Sequence, residues 1–490
     1  MIGRQPVDPT DLDAVRHAVG LDETSTSLRD IGMAAIVIGP DALDDLPRLV
    51  AGVRRSGPIV VVVDRQPMRR GTADLKELVA ARLAEVDPGL RVVRIGTDGG
   101  DLHADAAAIA EVVAAAGGAG CIVAVGSGTI CDIAKEASRT LVAPYVVVQT
   151  ANSVNAFSDD MAVLLINGVK RTMPSRWPDV LLIDLTVLAD APPALNRAGV
   201  GELAAMFTAP ADWRLAAAFG MDATWDRRVV DLFRDGAPAF LDAAPRATSD
   251  DVAAQQTLAE LMTLSGLALG IAGRTSPISG TEHTVSHLLD MAAASEGRPT
   301  GLHGAQVGVA SLAVAVAWRR ILDTFDPAVL LRAEPPPAAI MNERIVDAFR
   351  ALDPSGGMAE ECWSEYRRKL DRWDVARSRL PAVVDGWPEI RAELDSLLGR
   401  PADIASALRS AGASATFEEL DPPASRATAT WALFNGHLIR DRFTLADLAW
   451  FAGLWTAELA ASAIGEAAAI AGARPAMVGA TTRAADRAAS

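Results

Sequence analysis

Short apolar, β-branched runs recur at residues 59–63, 91–95, 121–125, 145–148 and 180–183, with alanine-rich stretches of helical spacing between them. Continuous apolar runs of that length suit strands buried on both faces, and their alternation with helices predicts a parallel sheet with covering helices. After Asp190 the runs stop. From Leu195 onward apolar residues repeat at three and four positions, which predicts helices alone. Prolines at 192–193 and 335–337 end elements, because proline lacks a backbone donor and fixes φ. The first break marks the boundary between an α/β domain over residues 1–190 and an all-helical domain over 191–490. The second break predicts a loop within the helical part, and alanine richness over 457–473 predicts a packed helix. No internal repeat is present.

With 490 residues, half of them hydrophobic, the chain exceeds what one core usually serves, so two domains with a cleft between them are expected. The formal charge of -16 argues against nucleic-acid and anionic-membrane partners. An anionic substrate would need a local basic patch. The first 21 residues lack a signal-peptide pattern and no uncharged apolar stretch reaches membrane-spanning length, so a cytoplasmic protein is expected. Three scattered cysteines, Cys121, Cys131 and Cys362, form neither a disulfide framework nor a cysteine zinc site. Any metal must therefore take histidine and carboxylate ligands. Lysine occurs only at positions 76, 135, 170 and 369 while arginine is abundant, which makes those lysines candidates for specific work.

Two segments carry candidate chemistry. In Val123-Ala-Val-Gly126-Ser127-Gly128-Thr129, followed by Asp132 and Lys135, a buried strand enters a glycine turn and then a helix. Amides at a helix start bind phosphate, and glycine lets the backbone approach a ligand. A purely structural turn has the same form, and the spacing leaves both readings open. It is not the GxGxxG of a Rossmann fingerprint. The second segment, Ser279-Gly-Thr-Glu-His283-Thr-Val-Ser-His287, places two imidazoles one helical turn apart, with His303 following in LHGAQVGV. Three of the six histidines fall within 21 positions, which favours a zinc or nickel site. The zinc-peptidase HExxH is absent, since Thr284 follows His283. Glu202, in Gly199-Val-Gly201-Glu202, is the candidate carboxylate, carried into the cleft by a glycine-led helix start. Dipole compensation in a first helical turn would equally explain it.

With these segments, Thr150-Ala-Asn-Ser153, Gly168-Val-Lys170-Arg171, Asp212-Trp213 and IRDRFT at 439–444 complete a pattern running from about residue 59 to 454. In it the chain resembles the glycerol-1-phosphate dehydrogenases, within the iron-containing alcohol dehydrogenase and dehydroquinate synthase superfamily. The resemblance implies a dehydroquinate synthase-like fold: an α/β dinucleotide-binding domain and an all-α metal-binding domain. It implies that Gly126, Ser127, Gly128, Thr129, Asp132, Thr150 and Ser153 hold NAD or NADP, with Asp64, at the end of the first strand, near the adenosine ribose. One divalent metal, zinc with nickel or iron as alternatives, would bind at Glu202, His283 and His303. His287 would serve as substrate or proton-relay histidine and Lys170 would line the cofactor side, although an exposed lysine without a role fits the same position.

Three positions depart from the family pattern. Glu202 replaces the usual aspartate ligand, and glutamate is what the dehydroquinate synthases carry there. Ser153-Val-Asn155-Ala156 replaces SxDG, so Asn155 stands where a carboxylate would face nicotinamide and substrate. Ser276 replaces the arginine of SRPxSG that faces the substrate phosphate, leaving Arg274, two residues earlier, as the substitute. One lost charge-assisted phosphate contact costs on the order of 2 to 3 kcal/mol. The expected function is a metal-dependent, NAD(P)-linked oxidoreductase reducing dihydroxyacetone phosphate or a related small ketone. The alternatives are a sugar-phosphate cyclase using NAD transiently and a cofactor-binding protein without turnover. The expected partners are a small-molecule substrate, possibly phosphorylated, and further copies of the chain in a dimer or higher homo-oligomer.

Overall fold

A computed structural model describes residues 6–23, 27–97, 102–166, 169–334 and 336–472. Its sheet comprises β1 (Ala35–Gly39), β2 (Ile59–Val63), β3 (Arg91–Arg94), β4 (Cys121–Gly126), β5 (Tyr145–Gln149) and, after a β-hairpin formed by β6 (Met161–Ile166) and β7 (Val169–Pro174), β8 (Val180–Asp184). The six sheet strands are all parallel, in the order β1-β8-β5-β4-β2-β3, with Gly126 opposite Gln149. Strands β2, β4, β5 and β8 are buried along their whole length, as continuous apolar runs require. Edge strand β3 alternates. Side chains alternate between faces: Val60, Val62, Ile122, Ala124 and Val147 join a core continuous with the helical part, while Val61, Val63, Val123, Val125 and Val148 pack on the other face.

The five expected strands are present. The pattern missed β1, a short run that becomes an edge strand beside β8, and the hairpin, whose polar second arm Lys170-Arg171-Thr172 carries no apolar signature. Asp64 therefore follows the second strand rather than the first. Beyond Asp190 all described elements are helical. The elements that build the site are α1 (Gly128–Leu141), α2 (Pro193–Ala204), α3 (Val252–Ala272), α4 (Thr281–Ser295) and α5 (His303–Thr324). Residues 332–337 connect a short 3-10 turn to the helix Ala338–Phe349, as the prolines suggested, with Pro335 itself outside the described residues. The alanine-rich stretch forms the helix Ala457–Gly472, and Ala473 also lies outside them. Helix α5 is long and apolar enough to cross a membrane, yet 83% of its apolar stretch is buried inside the protein. It is the central helix of the helical core.

Candidate metal and cofactor site

Glycines set the distance between the helices that carry the candidate ligands. A Cβ on Gly201 would fall 2.1 Å from the Gly304 carbonyl oxygen, and one on Gly304 would fall 2.2 Å from that of Ala198. Helices α2 and α5 thus cross almost backbone to backbone, and the residues next to those glycines, Glu202 and His303, face each other. This corrects the expected geometry at Glu202. It lies near the C-terminal end of α2, so neither a glycine-led helix start nor first-turn dipole compensation accounts for it. The glycines mark a helix crossing.

Helix α4 brings His283 to the same point. The Nε2 atoms of His283 and His303 lie 3.6 and 3.8 Å from the two Glu202 carboxylate oxygens, and the three groups' ligand atoms fall within 4.8 Å of one another. Both Nδ1 atoms point away into hydrogen bonds: His283 donates to Glu282 Oε1 at 2.9 Å, and His303 Nδ1 lies 2.8 Å from Ser286 Oγ. Glu282 in turn accepts from Thr208 Oγ1, while Asp212 accepts from the backbone and hydroxyl of Thr281 at the start of α4. Glu202 Oε2 is buried without a hydrogen-bond partner. Burial alone would raise the Glu202 carboxyl, but the adjacent His283 and the charge of His303 hold it below its usual value. Burial also acts to lower His283, and the carboxylates of Glu202 and Glu282 overcome it, raising the imidazole to about 9. For His303 burial prevails and lowers it to about 4. The raised His283 imidazole and the lowered Glu202 carboxyl compensate one another. Such a set accepts a divalent cation once the imidazolium proton leaves.

A cleft of about 330 Å³ joins this cluster to the C-terminal end of the sheet. After β3 the chain crosses to the other side of β2 to form β4, and ligands in such sheets lie at the C-terminal strand ends beside this reversal. There Ser127 caps α1 without a side-chain capping bond, and the amides of the first turn have no intrahelical carbonyl. Ser127, Gly128, Thr129, Asp132, Ser153, Asn155, Lys170, His287 and the three cluster residues all line the cleft. Gly126 packs against Ile130, where a Cβ would fall 2.6 Å away, and Thr150 lies buried behind the wall. Lys135 is fully buried and donates to Asp159 Oδ1 and the Met161 carbonyl, both at 2.6 Å, tying the loop after Asn155 to α1. Asp132 Oδ1 and His287 Nδ1 are buried without partners. Burial raises the Asp132 carboxyl to about 8 against the pull of Lys135. Burial, with Arg440, His303 and Lys170 adding, lowers His287 well below its usual value and keeps it neutral.

Other expected residues fall outside the cleft lining. Asp64 accepts from Lys76 Nζ at 2.6 Å. Arg274 does not replace the missing arginine: it pairs with Asp222 at 2.5 Å, because the end of α3 directs it away from the cleft. Ser276 is buried off the lining, whereas its neighbours Thr275 and Ser279 form part of the wall. Each of the four lysines pairs with an aspartate, and only Lys170 lines the cleft. Sequence reasoning missed His103, a lone histidine on a loop that reaches the cleft. It also missed Glu282, Ser286 and Asp290. Their spacing of four along α4 was the available signal, one polar stripe beside that of His283 and His287.

The likeness to known proteins follows this geometry. Residues 37–192 match the family described as iron-containing alcohol dehydrogenase. The glycerol-1-phosphate dehydrogenase [NAD(P)+] of Bacillus licheniformis is 27% identical over 315 residues, covering 63% of this chain and 76% of that one. That of Aeropyrum pernix is 30% identical over 292 residues, covering 58% of this chain and 79% of its own. The crystal structure of a probable glycerol dehydrogenase from Sinorhizobium meliloti 1021 superposes with a TM-score of 0.55 at 16% identity, over 91% of this chain and 99% of that one. These relatives favour a dehydrogenase over a cyclase or a protein without turnover. The chain belongs to the glycerol-1-phosphate dehydrogenase family of iron-containing alcohol dehydrogenases and is an NAD(P)-dependent oxidoreductase.

Proposed function

We propose that the chain interconverts dihydroxyacetone phosphate and glycerol-1-phosphate, or a closely related ketone and alcohol, with its metal held by Glu202, His283 and His303. The observation that carries the reading is Glu202 Oε2, buried and without a hydrogen-bond partner between two imidazoles whose Nδ1 atoms are engaged elsewhere. A carboxylate oxygen left in that state is costly unless a cation completes it. Two histidines and one glutamate suit zinc, with nickel or iron as alternatives. The bound metal supplies a Lewis acid for a carbonyl oxygen.

The chain's own residues divide the remaining work. The first-turn amides of α1, at Gly128 and Thr129 after Ser127, receive the dinucleotide diphosphate of NAD or NADP. Asp132, Ser153 and Asn155 face the nicotinamide side, Thr150 and Gly126 shape the turn from behind, and Asp64 lies toward the adenosine ribose. Neutral His287 passes the proton that the product hydroxyl needs, and Lys170 lines the same wall. The substrate phosphate meets the hydroxyls of Thr275 and Ser279 in place of the absent arginine. Arg442 donates to both, with the carboxylates of Glu282, Asp441, Asp212 and Asp222 acting on its charge from further off. Its charge supports an anion there. The two working bodies divide between residues 190 and 191, the reading includes a cytoplasmic homo-oligomer, and the charge of -16 argues against nucleic-acid and anionic-membrane partners.

The test is oxidation of NADH and NADPH by zinc-, nickel- or iron-loaded protein, with dihydroxyacetone phosphate and unphosphorylated dihydroxyacetone in parallel. Metal-dependent turnover at least about tenfold more efficient with the phosphate, on the order of 1.4 kcal/mol of discrimination, is expected. Turnover with neither ketone by metal-loaded protein would overturn the substrate assignment.

A further inference from the structure

A line of four hydrogen bonds joins His303 to Lys170 through residues outside the described ligand set. His303 Nδ1 lies 2.8 Å from Ser286 Oγ, Ser286 Oγ lies 2.7 Å from Gln306 Oε1, Gln306 Nε2 lies 3.1 Å from Asp290 Oδ1, and Asp290 Oδ2 lies 2.5 Å from Lys170 Nζ. Ser286, Gln306 and Asp290 are all buried, and their side chains make these bonds away from bulk solvent.

The direction of every bond in this line follows from one end. An ionised carboxylate only accepts, and the Lys170 ammonium only donates. Asp290 therefore takes a hydrogen bond from Lys170 and requires the Gln306 amide to present its NH2 group. The Gln306 carbonyl oxygen is then turned to Ser286, whose hydroxyl must donate to it. With its one hydrogen committed, Ser286 Oγ can only accept from His303, which must carry its proton on Nδ1. The Nε2 lone pair is left facing Glu202.

We propose that Asp290 is a positioning residue that sets the tautomer of His303 through Gln306 and Ser286 while holding Lys170 at the cleft wall. The inference rests on the reading of His303 as a metal ligand only for its consequence, because the tautomer itself is defined in metal-free protein. Outer hydrogen-bond partners of this kind typically change metal affinity about 10- to 100-fold.

Substituting Asp290→Asn reverses the logic. The asparagine oxygen accepts from Lys170, its NH2 group faces Gln306, the glutamine amide turns over, and Ser286 then accepts from Gln306 and donates to His303 Nδ1. The proton of His303 moves to Nε2, the atom a metal needs free.

The experiment is 15N NMR of histidine-labelled, metal-free protein, with the His303 signals assigned by their loss in His303→Gln, alongside zinc titration against a competing chelator. The expected result is an Nδ1–H tautomer in wild type, an Nε2–H tautomer in Asp290→Asn, and zinc affinity weakened about 10- to 100-fold in the variant. Ser286→Ala, which leaves the Lys170–Asp290 pair in place, should mix the two tautomers. Adding Asp290→Asn to it should change zinc affinity no further, since two substitutions on one line are not additive. An unchanged His303 tautomer in folded Asp290→Asn, or in Ser286→Ala should the first variant misfold, overturns the proposal. Zinc binding absent from wild type, with the tautomer switch intact, would instead overturn the metal reading and leave the hydrogen-bond line standing.

Discussion

The two walls of the cleft are finished to different degrees. On the side proposed for the metal, His283 and His303 each have the outer nitrogen engaged, by Glu282 or Ser286, and the partners of those groups are themselves anchored, leaving one carboxylate oxygen of Glu202 open. On the cofactor and substrate side Asp132 Oδ1 and His287 Nδ1 both lack partners, and the arginine of the family pattern is a serine at 276. A small ion offers few directional contacts, so its ligands have to be aimed in advance. A dinucleotide and a ketone bring donors and acceptors of their own, so that wall is completed by its ligands.

The comparison is broken most severely at Glu202. Glu202→Gln should weaken metal binding by more than about a hundredfold, beyond the loss typical of an outer partner, and turnover should fall with it. Metal content after dialysis against a chelator checks this. A variant that keeps its metal would show that the open carboxylate oxygen is not the site's requirement.

Next in size is a pair of glycine substitutions, one on each wall. Gly304→Ala forces a Cβ to 2.2 Å from the Ala198 carbonyl oxygen and should cost about 1 to 3 kcal/mol or more, seen as a lower denaturation midpoint with metal binding impaired. Gly128→Ala meets only Val154 Cγ2, at 3.1 Å, so the fold should persist. Its methyl group stands at the helix start, and KM for the dinucleotide should rise about tenfold, near 1.4 kcal/mol. Equal stability losses would remove the distinction between a wall packed against backbone and one open to a ligand.

A smaller effect concerns pH. Asp132 is raised to about 8 by burial, opposed by Lys135 and reinforced by Asp159 and Glu136. Its folded value lies above the unfolded one, so the folded protein binds the extra proton and loses stability as pH rises from about 4 through 8. Asp132→Asn removes that dependence. From about pH 5 to about pH 8.5 the melting temperature of wild type should fall relative to the variant's. Parallel profiles would mean that Asp132 is ionised throughout, stabilised by Lys135.

The smallest effect is expected at Arg274. Because its guanidinium pairs with Asp222 away from the cleft, Arg274→Ala should leave KM for the phosphorylated ketone within about twofold, as for an exposed pair remote from the reaction. A large rise in KM would return Arg274 to the substrate side.

The legibility of the site follows the same division. His283, His287 and His303 stood out because three of six histidines cluster, and the glycine turn because a buried strand enters it. Glu202 was named correctly as a cleft residue for a mistaken local reason. Glycines at 199 and 201 look like a helix start in one dimension, and only the packing of Gly199 on the Asn152 backbone and of Gly201 on α5 reveals them as contact surfaces. Ser286, Gln306 and Asp290 were invisible singly, since a buried polar residue has meaning only through its partner on another element.

The sequence by itself determined the alternation of buried strands and helices, the all-helical second half, and the residue types available to a metal and a dinucleotide. Period and composition are local properties, written into consecutive residues. Tertiary structure alone decided that Glu202 meets His303, that Arg274 turns to Asp222 and that Lys170 reaches Asp290, a residue 120 positions away. Those pairings depend on how closely two helices approach and which way each side chain leaves its backbone, and neither quantity is a property of any one segment.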